Sequence, residues 1–430
     1  MKVLSVGVCA VLVMTLWSKP VAGQSIILDR DEQRVFEDLN WLPYAFSSES
    51  FGFAVGVGVG YSGWPQEQSS AIGALTVGTE GAYNAALALT DWQVPGVSRL
   101  VVEPLVVIGK YENQRLHIGQ NFEPGSVRAG ANGSDPDDFL EASQWDNRAE
   151  VAFRYLFPVG HGRDTTVSRY VIDGGLLTRG ASGGSDWNPF ESGRTRLSLT
   201  PAWREQTDRI RGLDVPFSTV NLAVELERDN YDFPYNPSRG SYQSVEYQRD
   251  FEDSSALGGW ESWSVELGKA FTLPSGGGSA QRVFALGFWT AYVPTWETET
   301  VDGTEFVTRR PPHFEGATLG GIYRMRAYED HRFQDKAAIY YSAEYRTIPD
   351  WQPLKNIGWL EWADLSWWQW VIFAEAGQVA DSYGFDALHD DLHYDAGFSL
   401  RVMAHKAVCR LDFAAGEEGN RVIAMYGHPF

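Results

Sequence analysis

Leu392-His393-Tyr394-Asp395-Ala396-Gly397-Phe398-Ser399-Leu400-Arg401-Val402 is the stretch on which the fold turns. Leu392, Tyr394, Ala396, Phe398, Leu400 and Val402 take alternate places, and His393, Asp395, Gly397, Ser399 and Arg401 fall between them. A β-strand sends successive side chains to opposite faces, so this one has an oily face and an ionic face. A soluble sandwich and a membrane barrel both use such a strand, and the number and length of the copies must decide between them.

The copies are many. Ile339, Tyr341, Ala343 and Tyr345 alternate with Tyr340, Ser342, Glu344 and Arg346. Trp368, Trp370, Ile372 and Ala374 alternate with Gln369, Val371, Phe373 and Glu375, and Val220, Leu222, Val224 and Leu226 with Asn221, Ala223, Glu225 and Glu227. Val422, Ala424, Tyr426, His428 and Phe430 run to the last residue. Each run is about ten residues, the length of a tilted strand crossing a bilayer. The periodicity predicts about 16 strands, near 51–62, 69–79, 82–91, 98–111, 147–158, 166–179, 194–205, 217–228, 240–251, 259–272, 280–293, 336–348, 367–377, 391–403, 405–415 and 421–430. An even number suits an all-β, transmembrane antiparallel barrel with both termini in the periplasm. The long stretch 112–146 fits this count badly, because it falls on the periplasmic side, where turns are short.

Composition agrees. Aromatic residues make up 14% of the 430 residues, with 17 Trp and 44 Gly, as a barrel with interfacial girdles and a polar lumen requires. The group Trp351, Trp359, Trp362, Trp367, Trp368 and Trp370 reads as part of such a girdle. No run of eighteen apolar residues follows the leader. The leader itself has Lys2, an apolar run from Val3 to Trp17 and a small-residue exit at Val21-Ala22-Gly23, which predicts a signal peptide over 1–23. Beyond Gly23 the chain carries 33 basic and 56 acidic residues, an acidity that excludes nucleic acid as a partner. Only Cys409 remains there, so no intrachain disulfide forms.

Residues 24–50 read as a short periplasmic or lumenal segment, with a helix over Arg30 to Leu42, and the barrel is expected over 51–430. Its first strand, Phe51 to Tyr61, has a bulky outward face and a nearly bare inward one at Gly52, Gly56, Gly58 and Gly60. Glycine weakens a strand and lets other backbone approach. This strand is expected to close the barrel against the last one, either as a weak seam or as a bare surface on which a plug packs.

Several motifs resemble the BamA/TamA-type outer-membrane insertase superfamily, also called the bacterial surface antigen family. They are Pro237-Ser238-Arg239-Gly240; Leu319-Gly320-Gly321 followed by Met325-Arg326-Ala327-Tyr328; Ser342-Ala343-Glu344-Tyr345-Arg346; Phe373-Ala374-Glu375-Ala376-Gly377; and Gly427-His428-Pro429-Phe430. The resemblance is strongest over 231–430. Met325 and Ala327 stand where the family has valine and glycine, and Glu375 where it has aspartate; alanine lacks glycine's freedom at positive φ, so a different loop tip is expected. No room precedes the barrel for the family's periplasmic POTRA domains, which points to a POTRA-less branch. The outside loop between strands near 293 and 336 is longer than connectivity needs. Folded inward, it would place the Arg326 guanidinium between Glu344 and Glu375, whose parity turns them to the lumen, in charge-assisted bonds that lock the loop. The resemblance implies the same arrangement. Phe430, with the outward Tyr426, resembles the terminal signal read by the barrel-assembly machinery.

No HExxH, no GxSxG and no EF-hand spacing occurs, so neither an enzyme, nor a metal site, nor a cofactor is expected. Two functional classes follow. One is a barrel of the Gram-negative outer membrane, surrounded by lipid, that helps insert or translocate a protein or lipid client. The other is a passive channel or structural barrel.

Overall fold

The computed structural model describes residues 8–10, 25–30, 33–34, 38–48, 50–119, 127–252, 258–301, 304–358, 364–404 and 407–426. Among them sixteen strands of eight residues or more form the wall: β1 (Asp38–Ser48), β2 (Gly52–Ser62), β3 (Ser70–Gly78), β4 (Tyr83–Thr90, continued along β5 by Trp92–Val94), β5 (Val97–Leu116), β6 (Leu140–Leu156), β7 (Arg194–Ile210), β8 (Leu213–Asp229), β9 (Gly240–Asp250), β10 (Glu261–Leu273), β11 (Ser279–Tyr292), β12 (Ala337–Pro349), β13 (Leu365–Ala380), β14 (His393–Ala404), β15 (Ala407–Gly416) and β16 (Gly419–Tyr426). Each pairs antiparallel with the next. At the seam, Val8–Ala10 runs parallel to β16, Val8 opposite Val422, and meets β1 where Cys9 faces Ser47. The rest of the expected signal peptide lies outside the described residues.

The wall is inside-out relative to a soluble protein. Phe53, Leu87, Ile108, Leu199, Trp263, Leu267, Phe284, Ile372, Tyr394 and Phe398 lie exposed on its outer face. Arg196, Arg204, Asp208, Glu227, Glu344, Glu375, Arg401 and Asp412 are buried on its inner face. Only an apolar solvent outside and a filled, polar interior make that arrangement favourable.

Four readings of the sequence need correction. Residues 38–48 form β1, not the end of a helix, so the barrel begins before residue 51. Pro43 hid the strand, since proline is confined to edge strands and the charged residues before it mimic a helix start. Gly52, Gly56, Gly58 and Gly60 therefore lie on β2, one strand in from the seam. Gly56 provides close approach: a Cβ there would fall 2.2 Å from the Tyr44 ring, which crosses it from β1 to reach Thr76 Oγ1 on β3 at 2.7 Å.

Residues 166–179 are not a wall strand. Ser168–Asp173 and Leu176–Arg179 form an inner sheet with Ile26–Arg30 and Gln33–Arg34. Ile26–Arg30 runs parallel to 168–172. Leu28, Tyr170 and Ile172 pack on Trp367, Met403 and Val408 of the wall, so their alternation serves a plug. One strand gained and one lost keep the count at sixteen but shift the topology. Residues 117–119 and 127–139 now lie at the same end as the connection from β11 to β12, which removes the misfit of the long loop. Trp367 also leaves the girdle: it is buried and its Nε1 donates to the Gly175 carbonyl at 3.0 Å. Trp351 and Trp368 stay at the rim, ring edge to ring face, while Trp359 and Trp362 lie outside the described residues.

Candidate functional site

The loop between β11 and β12 enters the lumen and is gathered by a short ladder, Thr318–Leu319 against Phe333–Gln334. Beyond it the chain forms a tight tip. Gly320 and Gly321 carry φ of 104° and 113°, Met325 carries 58°, and Tyr328 N donates to Met325 O at 3.0 Å. The positive φ thus falls at Met325, not Ala327, and the alanine costs the tip nothing. Met325, Ala327 and Tyr328 are all buried, packed with Leu319, Phe333 and Phe373. A Cβ on Gly377 of β13 would lie 3.0 Å from Leu319 Cδ1 and 3.2 Å from Met325 Sδ, so glycine there lets the tip reach the wall.

Arg326 is fully buried. Its Nε donates to Glu375 Oε1 at 3.0 Å, Nη2 to Glu344 Oε1 at 3.2 Å and Nη1 to Asp412 Oδ2 at 3.1 Å. The guanidinium lies over the Phe373 ring, 3.4 Å from its centroid. The tip backbone joins in: Arg326 N donates to Glu375 Oε2 at 2.8 Å and Ala327 N to Asp395 Oδ2 at 2.9 Å. Burial alone would depress this guanidinium's pKa, but Glu375, Asp412 and Glu344 outweigh it and hold it well above its ordinary value. Wall arginines complete the network. Arg401 Nη2 and Arg346 Nε donate to Glu344 at 2.7 and 2.8 Å, and Arg410 Nε stands 3.4 Å from Asp412. Four cations face four carboxylates, and Arg326 is the one cation brought by the loop.

Sequence reasoning thus placed Arg326, Glu344 and Glu375 together, and the structure brings them within bonding distance. It missed Asp395 and Asp412, although both sit on the inward parity of their strands, and it missed Arg332. The buried Arg332 guanidinium donates to Glu418 Oε2 at 2.8 Å and to Ser134 Oγ at 2.8 Å, tying the tip to the 417–418 turn and to loop 117–139. Arg324 lies over the Trp289 ring at 4.0 Å. Tyr426 ends β16 opposite Cys409, and Phe430 lies outside the described residues. Among the described residues no group of three or more potential ligands could hold a metal ion.

No family model and no curated protein matches the chain. Solved structures do. CdiB from Escherichia coli aligns at 9% identity over 87% of this chain and 58% of its own, with a TM-score of 0.53. The fold is that of an outer-membrane β-barrel. BamA from Haemophilus ducreyi lacking POTRA domains 1-3 aligns at 12% identity over 91% of this chain and 69% of its own, and CdiB from Acinetobacter baumannii at 12% over 89% and 57%, both with a TM-score of 0.47. The chain spans little more than half the length of the two CdiB chains.

Proposed function

We propose that this chain is a plugged barrel of the Gram-negative outer membrane that assists the insertion or translocation of a protein or lipid client, with the β1–β16 seam as its working edge. It belongs, in this reading, to a POTRA-less branch of the bacterial surface antigen family, has no catalytic role, and is itself delivered by the barrel-assembly machinery. The observation that carries the reading is the filling of the lumen. The tip around Arg326 enters it on one side and the inner sheet packs at the other mouth, an arrangement that supports a barrel closed to solutes at rest. A wall kept closed at such expense in buried charge is suited to switching, not to steady flow.

Planar-bilayer recordings test this reading: mostly closed traces are expected, and a steady conductance would make the protein a channel instead. Cysteines on β1 and β16, joined by a crosslinker in a Cys409→Ala background, should stop client assembly in the host. Depletion of the protein with no change in outer-membrane protein or lipid content would overturn the proposal.

A further inference from the structure

Where the first turns of β5 and β7 and the end of β6 meet the inner sheet, the wall holds a small cavity. Four arginines line it, Arg99, Arg154, Arg194 and Arg196, beside the hydroxyl-bearing Ser98 and Thr166, and no carboxylate does. Three of the four are buried, Arg154 at 9%, Arg194 at 2% and Arg196 at 3% exposure. Arg99 spends its terminal nitrogens on the carbonyls of Gly162 and Arg163, at 2.7 and 3.0 Å.

The buried three are under-used. Arg196 gives Nε and Nη2 to Glu227 and leaves Nη1 without a partner. Arg154 stands 3.1 Å from Glu103 through Nη1, yet neither Nη1 nor Nε completes a hydrogen bond. Arg194 donates only to neutral oxygens, Ser168 Oγ and the Thr166 carbonyl, and its Nε is unpartnered. Glu103 and Glu227 compensate Arg154 and Arg196 from outside the cavity lining; no carboxylate bonds Arg194 among the described residues. Asp91 and Asp229 act on Arg194 through space. A buried guanidinium with unspent donors is unfavourable, and one acceptor reached by all three arginines satisfies them together.

The geometry points to a bound chloride-sized anion in this cavity, held by Arg154, Arg194 and Arg196, that fastens the inner sheet to the barrel wall. Size selects a small ion: the space between the three arginines accepts one water-sized occupant. Position gives the consequence, because Arg194 on β7 already reaches Thr166 and Ser168, which lead into the sheet's strand 168–173. Ser98, exposed at the rim, marks the side from which the ion enters.

The test uses the full chain in detergent, unfolded by heat in sodium chloride, sodium bromide or sodium gluconate at equal ionic strength. Chloride and bromide should raise the midpoint by several degrees in a saturable way, and gluconate, too large to enter, should not. Arg194→Gln should abolish that difference. Should the variant fail to fold, crystals of the unaltered protein grown in bromide decide the matter, with an anomalous peak expected between Arg154, Arg194 and Arg196. Midpoints equal in all three salts, or a cavity without a bromide peak, would each overturn the proposal.

Discussion

Two stretches of the same wall, β12–β15 and β2–β4, follow one alternating pattern and put opposite materials on their inner faces. β12–β15 present Glu344, Arg346, Glu375, Asp395, Arg401, Arg410 and Asp412. β2–β4 present Ala54, Gly56, Gly58, Gly60, Ala74, Thr76, Asn84, Ala86 and Ala88, with no charge among them. The difference shows what holds the interior. On one side the loop is held by ions that cannot be left unpaired. On the other the wall is held by small residues and by an aromatic ring laid across glycine, Tyr44 over Gly56.

The contrast can be broken most forcefully at its centre. Arg326→Ala leaves three wall arginines against four buried carboxylates, and breaking a buried network of this kind costs about 3–5 kcal/mol. Denaturant unfolding of the refolded barrel should show that loss, and protease should newly cut within 293–336. An unaltered midpoint together with an uncut loop would remove the ionic anchor from the account. Glu344→Gln takes the shared acceptor from Arg326, Arg346 and Arg401 while keeping its shape, and should cost about 2–3 kcal/mol in the same titration.

The bare wall should respond to volume instead. A methyl on Gly56 collides with the Tyr44 ring, and one on Gly60 meets nothing within 4 Å. Gly56→Ala should therefore cost about 1–2 kcal/mol and Gly60→Ala less than about 0.5. Equal effects in the two variants would mean that Tyr44 does not fasten β1.

The smallest expected effect is acid loosening of the contact between the β5–β6 and β11–β12 loops. Glu329 is partly buried, which would raise its pKa, but bonds from His117 and Arg115 hold it below the ordinary glutamate value. Its contribution is thus complete above about pH 4.3 and is lost as pH falls through the depressed value. Hydrogen exchange in 117–139 should be the same at pH 7 and pH 5 and faster near pH 3; acceleration already at pH 5 would implicate another group.

Much of this was legible beforehand, for a physical reason. Parity is a local property, so Glu344 and Glu375 could be turned inward from their neighbours alone, and the resemblance supplied the arginine that meets them. The same parity held for Asp395 and Asp412, but nothing in the chain states that four separate strands converge on one guanidinium. Period two also cannot tell a strand of the wall from one of a plug, as Ser168–Asp173 demonstrates, because both bury every second side chain. Pro43 erased the signal of β1 at the position where its loss mattered most, since the seam moves with it.

The inner sheet has a temporal consequence. Ile26–Arg30 finds its parallel neighbour only in residues 168–172, across about a third of the chain, while every wall strand zips to the one just before it. Local hairpins form ahead of such distant contacts. Residues 26–30 must therefore wait, unattached, until six staves of the cask stand, and only then be fitted as its stopper.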